Sequence, residues 1–156
     1  MTPTLNERAK GSRGRVLAID FGRKRIGLAI SDELGMTARP LQTLARTNRR
    51  NDLRRLRELA RQHEVARIVV GNPVRLDGSA GEMAEQSARF AARVQKELGL
   101  PVEMMDERLS SWEAKETSAA TKTKRNKQAA GVDAVAAAVI LRDFLEREQI
   151  RKPTRK

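Results

Sequence analysis

The chain has 156 residues and carries 32 Lys and Arg against 20 Asp and Glu, a formal charge of +12. That length suits one domain with a real core, and the charge points to a polyanion such as nucleic acid as partner. With no cysteine and a single histidine, disulfides, thiolate zinc sites and histidine-rich clusters are excluded, so any metal must sit on oxygen, which suits hard ions such as magnesium or manganese.

In chain order, residues 1–14 are polar, basic and without periodicity, which predicts a flexible arm and no secretory signal, hence a cytoplasmic location. Val16-Leu17-Ala18-Ile19 followed by Asp20 and Gly22 predicts a strand buried on both faces that stops at a polar turn. The segment Ile26 to Ser31 reads as a second strand returning as a hairpin. Thr37 to Ala45 reads as a third, shorter strand, placed at an edge by Pro40. From Asn48 the period changes to helical, with Leu53, Leu56, Leu59, Ala60 and His63 on one face and arginines around the other. His63, on the apolar side, is read as a structural residue. Residues 46–67 hold eight arginines against Asp52, Glu58 and Glu64.

Arg67 to Gly71 is then a buried strand, and Asn72 to Ser79 a loop dense in turn residues. A helix follows with Met83, Ser87, Phe90, Ala91, Val94 and Leu98 inward, ended by Gly99. Val102 to Met105 forms one more strand. A short helix from Ser110 or Ser111 to Thr117, with Trp112 packed in it, precedes a basic, mobile stretch containing Lys122, Lys124, Arg125 and Lys127. The last helix spans about 128–147, with a basic tail at 148–156. Its apolar run, Val132 to Leu141, is far below the ~20 residues of a membrane span. The pattern predicts an α/β domain over 15–147: a mixed five-stranded sheet, three strands antiparallel and the rest parallel, flanked by helices.

Parallel strands end on a common edge, where ligands bind in open sheets. Asp20 closes the first strand, Asp106 and Glu107 close the last, and Asp133 is the lone charge in AAGVDAVAAAVIL. A carboxylate there is costly unless paired, hydrogen-bonded or metal-bound. Each acid has a structural alternative: Asp20 as a cap of the Gly22 turn, Asp106 paired with Arg108, Glu107 in water, Asp133 as the cap of the final helix. The chemistry that uses them together is phosphodiester hydrolysis with two divalent ions. Arg23, Lys24, Arg25 and Arg108 adjoin these acids and suit phosphate, or serve only as surface charge.

These motifs coincide with a known family. The segments AIDFGRKRIGLAISD, GNPVRLDGSAGEMAEQSARFA, DERLSSWEA and VDAVAAAVILRDFL, over residues 15–147, closely resemble the YqgF family, RNase H-like proteins described as Holliday-junction resolvases and as pre-16S rRNA nucleases. The resemblance implies an RNase H-like fold, with Asp20, Glu107 and Asp133 at the acidic metal-binding site, which leaves Asp106 a supporting or structural role. It also implies a divalent metal, which the oxygen donors and the hydrolysis chemistry make magnesium or manganese, as two ions, and a role in maturing the 16S rRNA 5′ end. Asn72 stands where many members have Leu, and Lys122 to Lys127 fall where members carry a basic loop. The expected partner is nucleic acid: precursor 16S rRNA ahead of branched DNA, with a pre-ribosomal particle as a further partner, no membrane, and a monomer or homodimer. Competing readings are a resolvase of branched DNA and a non-catalytic ribosome-assembly or transcription factor.

Overall fold

In a computed structural model of the chain, the described residues are 14–72, 81–106 and 131–151. They form strands β1 (Arg15–Phe21), β2 (Arg25–Ser31) and β3 (Ala38–Ala45), helix α1 (Arg49–Gln62), strand β4 (Val65–Asn72), helix α2 (Glu82–Leu98), strand β5 (Val102–Asp106) and helix α3 (Val132–Arg151). The sheet order is β3-β2-β1-β4-β5. Antiparallel pairing joins β3, β2 and β1, and parallel pairing joins β1, β4 and β5.

β1 lies at the centre, which explains its unbroken apolar run. Leu17, Ile19 and Phe21 enter one core with α1 and α2, while Val16 and Ala18 enter a second core under α3. Both cores come from the period-2 alternation of a strand covered on two faces. α1 contributes Leu53, Leu56 and Ala60 to the first core, and α2 contributes Phe90, Ala91, Val94 and Leu98. α3 contributes Ala137, Ile140, Leu141, Phe144 and Leu145 to the second.

The helix ends follow from local chemistry. Asn48 caps α1 by accepting the Asn51 amide at 2.9 Å, and Gly99 ends α2 in the left-handed conformation, where glycine alone has no Cβ penalty. His63 closes α1 half-buried, its carbonyl oxygen accepting a hydrogen bond from Arg15.

β3 differs from its expectation. It is as long as β4, at eight residues, and not a short strand. A bulge explains this: Leu28 pairs with Gln42 but Ala29 pairs with Pro40, so Leu41 is the extra residue and Pro40 is absorbed at the sheet edge. α3 is described from Val132 and continues to Arg151. The sequence-based readings for 107–130, including the Ser110–Thr117 helix and Trp112, lie outside the described residues. No helix among the described residues is long and apolar enough to cross a membrane.

Candidate active site at the sheet edge

Asp20 is the penultimate residue of β1, half-buried, and alternation places its side chain on the α3 face with Val16 and Ala18. Its partner on β2 is Gly27, whose own partner on β3 is Thr43. The first turn of α3 lies across this row. A Cβ built on Gly27 would fall 1.9 Å from the Asp133 carbonyl oxygen and 2.8 Å from the Asp133 Cβ. Gly131, at φ +91°, has the same relation to Thr43, with a Cβ there 2.6 Å from Oγ1. No other residue type fits at Gly27 without moving α3. The missing side chain thus brings Asp133 next to the strand position opposite Asp20.

Asp133 is not the helix cap, because α3 starts one residue earlier and the Val135 amide donates to the Gly131 carbonyl at 3.2 Å. Placed in the first turn, its carboxylate is favoured by the exposed amides and positive end of the helix dipole. Its Oδ2 accepts a hydrogen bond from Nε of Arg25 at 2.9 Å, with the Asp133 side chain 28% exposed and Arg25 63% exposed. Solvent therefore screens this pair, which orients the carboxylate more than it stabilises the fold.

The turn carrying Arg23 and Lys24 is braced from outside. The Gly22 amide donates to the Arg25 carbonyl at 2.9 Å, and a Cβ on Gly22 would lie 2.8 Å from that oxygen. Nη1 of Arg46 donates to the Gly22 and Arg23 carbonyls at 3.0 and 2.9 Å. The Arg46 guanidinium also covers the Phe21 ring at 4.4 Å, and Phe21 stacks on Phe90 at 4.3 Å. Arg23, Lys24 and Arg25 are left exposed on a fixed turn.

Asp106 ends β5 beside Asn72, the last residue of β4, so both reach the same edge as Asp20. Met105 packs into the core under α3, so alternation turns Asp106 to the opposite face. The Asn72 Oδ1 is buried without a hydrogen-bond partner. Glu107, Arg108, Lys122, Lys124, Arg125 and Lys127 lie outside the described residues. Among the described residues, no group of three His, Cys, Asp or Glu side chains is placed to hold a metal ion. The described residues of the candidate site are therefore Asp20 and Asp133, carboxylates whose oxygen donors suit a hard divalent cation.

Three contributors escaped sequence reasoning. Gly27 had a signal, since an isolated glycine inside a strand marks a close backbone approach. Thr43 and Arg46 had none, because their roles depend on tertiary placement alone.

The family model described as "RuvX: Holliday junction resolvase" matches residues 14–147. A protein of Koribacter versatilis named "Putative pre-16S rRNA nuclease" is 48% identical over 137 residues, covering 88% of this chain and 90% of its own length. A relative of the same name from Geobacillus kaustophilus is 44% identical over 134 residues, covering 85% of this chain and 97% of its own. Among solved structures, Thermus thermophilus RuvC in complex with a Holliday junction substrate is similar at a TM-score of 0.57 and 15% identity, covering 86% of this chain and 96% of that one. At such identity the likeness is one of fold, and with the observed sheet it gives the RNase H-like class. The match over nearly the whole folded region, with relatives above 40% identity at near full length, places this chain in the RuvX family, the YqgF family that its motifs resemble.

Proposed function

We propose that the chain is a metal-dependent nuclease that hydrolyses phosphodiester bonds in precursor 16S rRNA, in maturation of its 5′ end. The observation that carries this reading is the docking of α3 on Gly27, which sets Asp133 beside Asp20 at the carboxyl edge of the sheet. The curated relatives' name supplies the substrate. Asp20, Asp133 and Glu107 would hold magnesium or manganese, as two ions, which supply an activated water and charge stabilisation of the leaving oxygen.

The chain's own residues do the rest. Arg25 holds the Asp133 carboxylate in one rotamer and offsets part of the local negative charge. Arg23 and Lys24 present cations on a braced turn to the phosphates flanking the scissile bond. Arg108, Lys122, Lys124, Arg125 and Lys127 would supply further positive charge to the phosphates, and Asp106 supports from the other face. The substrate is met in the cytoplasm, a reducing compartment that suits a chain without cysteine.

A second reading, cleavage of branched DNA, is favoured by the family description, and would call for a two-fold dimer cutting two strands symmetrically. One experiment separates the two: wild type, Asp20→Asn and Asp133→Asn are incubated with a pre-16S rRNA fragment and a four-way DNA junction, with and without magnesium or manganese. The rRNA reading expects metal-dependent RNA cutting that each substitution lowers roughly a thousandfold, as several kcal/mol of charge stabilisation is lost. Cutting of the junction alone favours the resolvase. Binding without any cutting points to an assembly factor, and cutting that survives both substitutions overturns the site.

A further inference from the structure

A second basic feature starts at the same edge as the candidate site. β3 runs toward that edge, parallel to β1 because both are antiparallel to β2. The chain then passes Arg46, bound to the β1–β2 turn, and enters α1, which leads back to the opposite edge where β4 begins. Along α1, Arg50, Arg54, Arg57 and Arg61 are all exposed. Their spacing of i, i+4, i+7 and i+11 puts them on one stripe, about 16 Å long.

The stripe is nearly uncompensated. α1 contains two acids: Asp52 is buried and held by Thr47 and Arg55, leaving Glu58 exposed. Among the described residues none of the four arginines forms an ion pair. α2 provides a contrast within the same molecule. Its exposed Arg89, Arg93 and Lys96 have the same spacing but share their face with exposed Glu82, Glu85 and Glu97, so their field largely cancels. The far end of the α1 stripe, at Arg57 and Arg61, borders a cavity of about 640 Å³ over Ala60, Leu98 and Leu100, whose rim also carries Glu64 and the Arg15–Glu33 ion pair.

We infer that α1 is a track for the sugar–phosphate backbone of the substrate RNA, carrying a strand from the β1–β2 turn along Arg50, Arg54, Arg57 and Arg61. The inference rests on the nuclease reading for the identity of the RNA. A single-sign array of guanidinium groups suits phosphate oxygens, each bound through paired N–H donors. A stacked strand passes about five phosphates over the length of the stripe, at a rise of ~3.4 Å each.

The test measures binding of a fluorescein-labelled pre-16S rRNA fragment to the full chain carrying Asp20→Asn, across a series of KCl concentrations. Two triple variants of equal charge change are compared: Arg54→Gln/Arg57→Gln/Arg61→Gln on α1, and Arg89→Gln/Arg93→Gln/Lys96→Gln on α2. The track predicts that the α1 triple weakens binding at least tenfold and lowers the slope of log K against log salt by about 2, at ~0.7 per lost phosphate contact. The α2 triple should stay within about twofold. Equal losses for both triples, or an α1 triple with the parent's affinity and slope, overturn it.

A native-protein measurement guards against misfolding: dicarbonyl modification of arginines, read by mass spectrometry, should show RNA protecting Arg54, Arg57 and Arg61 but not Arg89 and Arg93. No protection on α1 overturns the track. Cleavage reports the nuclease reading separately: if the wild type cuts no RNA in magnesium or manganese, that reading fails while the binding comparison stands.

Discussion

Gly27 is the residue on which the candidate site turns, because its absent side chain is the space that the Asp133 backbone occupies. Gly27→Ala forces the first turn of α3 off the sheet. The expected cost is about 1–3 kcal/mol, typical of an overpacked site, read as a lower midpoint in urea. RNA cutting should fall further than stability does, since it is the separation of Asp133 from Asp20 that changes. Unchanged stability would show that α3 does not rest on this glycine.

Asp32 acts at the same scale. Its Oδ1 accepts the Met36 amide at 2.7 Å and the Thr37 amide at 3.2 Å, and these bonds, the Met36 one foremost, hold its carboxyl below the ordinary 3.8. The folded chain thus binds this proton more weakly than the unfolded one. The stabilisation is present above the ordinary carboxylate value and is lost as pH falls through the folded value. Asp32→Asn should flatten the fall of Tm with pH in that acid range, measured by scanning fluorimetry, and an unaltered fall would assign the acid sensitivity to other carboxylates.

The elements themselves were largely legible. Strands covered on both faces read as unbroken apolar runs, and α2 shows its inner stripe and its glycine stop in the sequence. What escaped was what depends on three dimensions. The β3 bulge cannot be read from Pro40 alone, since a proline shortens one edge strand and bulges another. On α2 the expected Ser87, Phe90, Ala91, Val94 and Leu98 are buried and Met83 is partly buried against the core, while Ala84 is an inward position the periodicity left out. Asp52, which the sequence shows only as one acid among the arginines of this segment, is buried. Its Oδ1 accepts the Thr47 amide and hydroxyl at 3.1 Å and Arg55 at 2.9 Å, tying the β3–α1 connection to the helix. Asp52→Ala should cost about 1–3 kcal/mol through the groups left unpaired. Chemical denaturation measures it, and a loss below about 0.5 kcal/mol would mean that water replaces those bonds.

For the whole molecule, an ion held by both Asp20 and Asp133 would tie β1 to α3 and so favour the folded chain. An ion that binds only the folded chain stabilises it by about 2.7 kcal/mol at a hundred times its Kd. Magnesium or manganese should therefore raise Tm in wild type, and Asp20→Asn should abolish most of the rise. Identical shifts in both proteins would place the ion elsewhere. The net charge was visible in the composition, but its arrangement was not: only the fold shows that α1 carries an uncompensated stripe and α2 a balanced one.

The docking of α3 on β2 also sets the order of events during synthesis. Asp20 and Gly27 are made early, while the helix that covers them is among the later segments to leave the ribosome. Until it arrives, the strand row Asp20, Gly27 and Thr43 is open and one acid is missing. A nascent chain ending before residue 132 would carry much of the basic surface for holding RNA but lack a cutting centre.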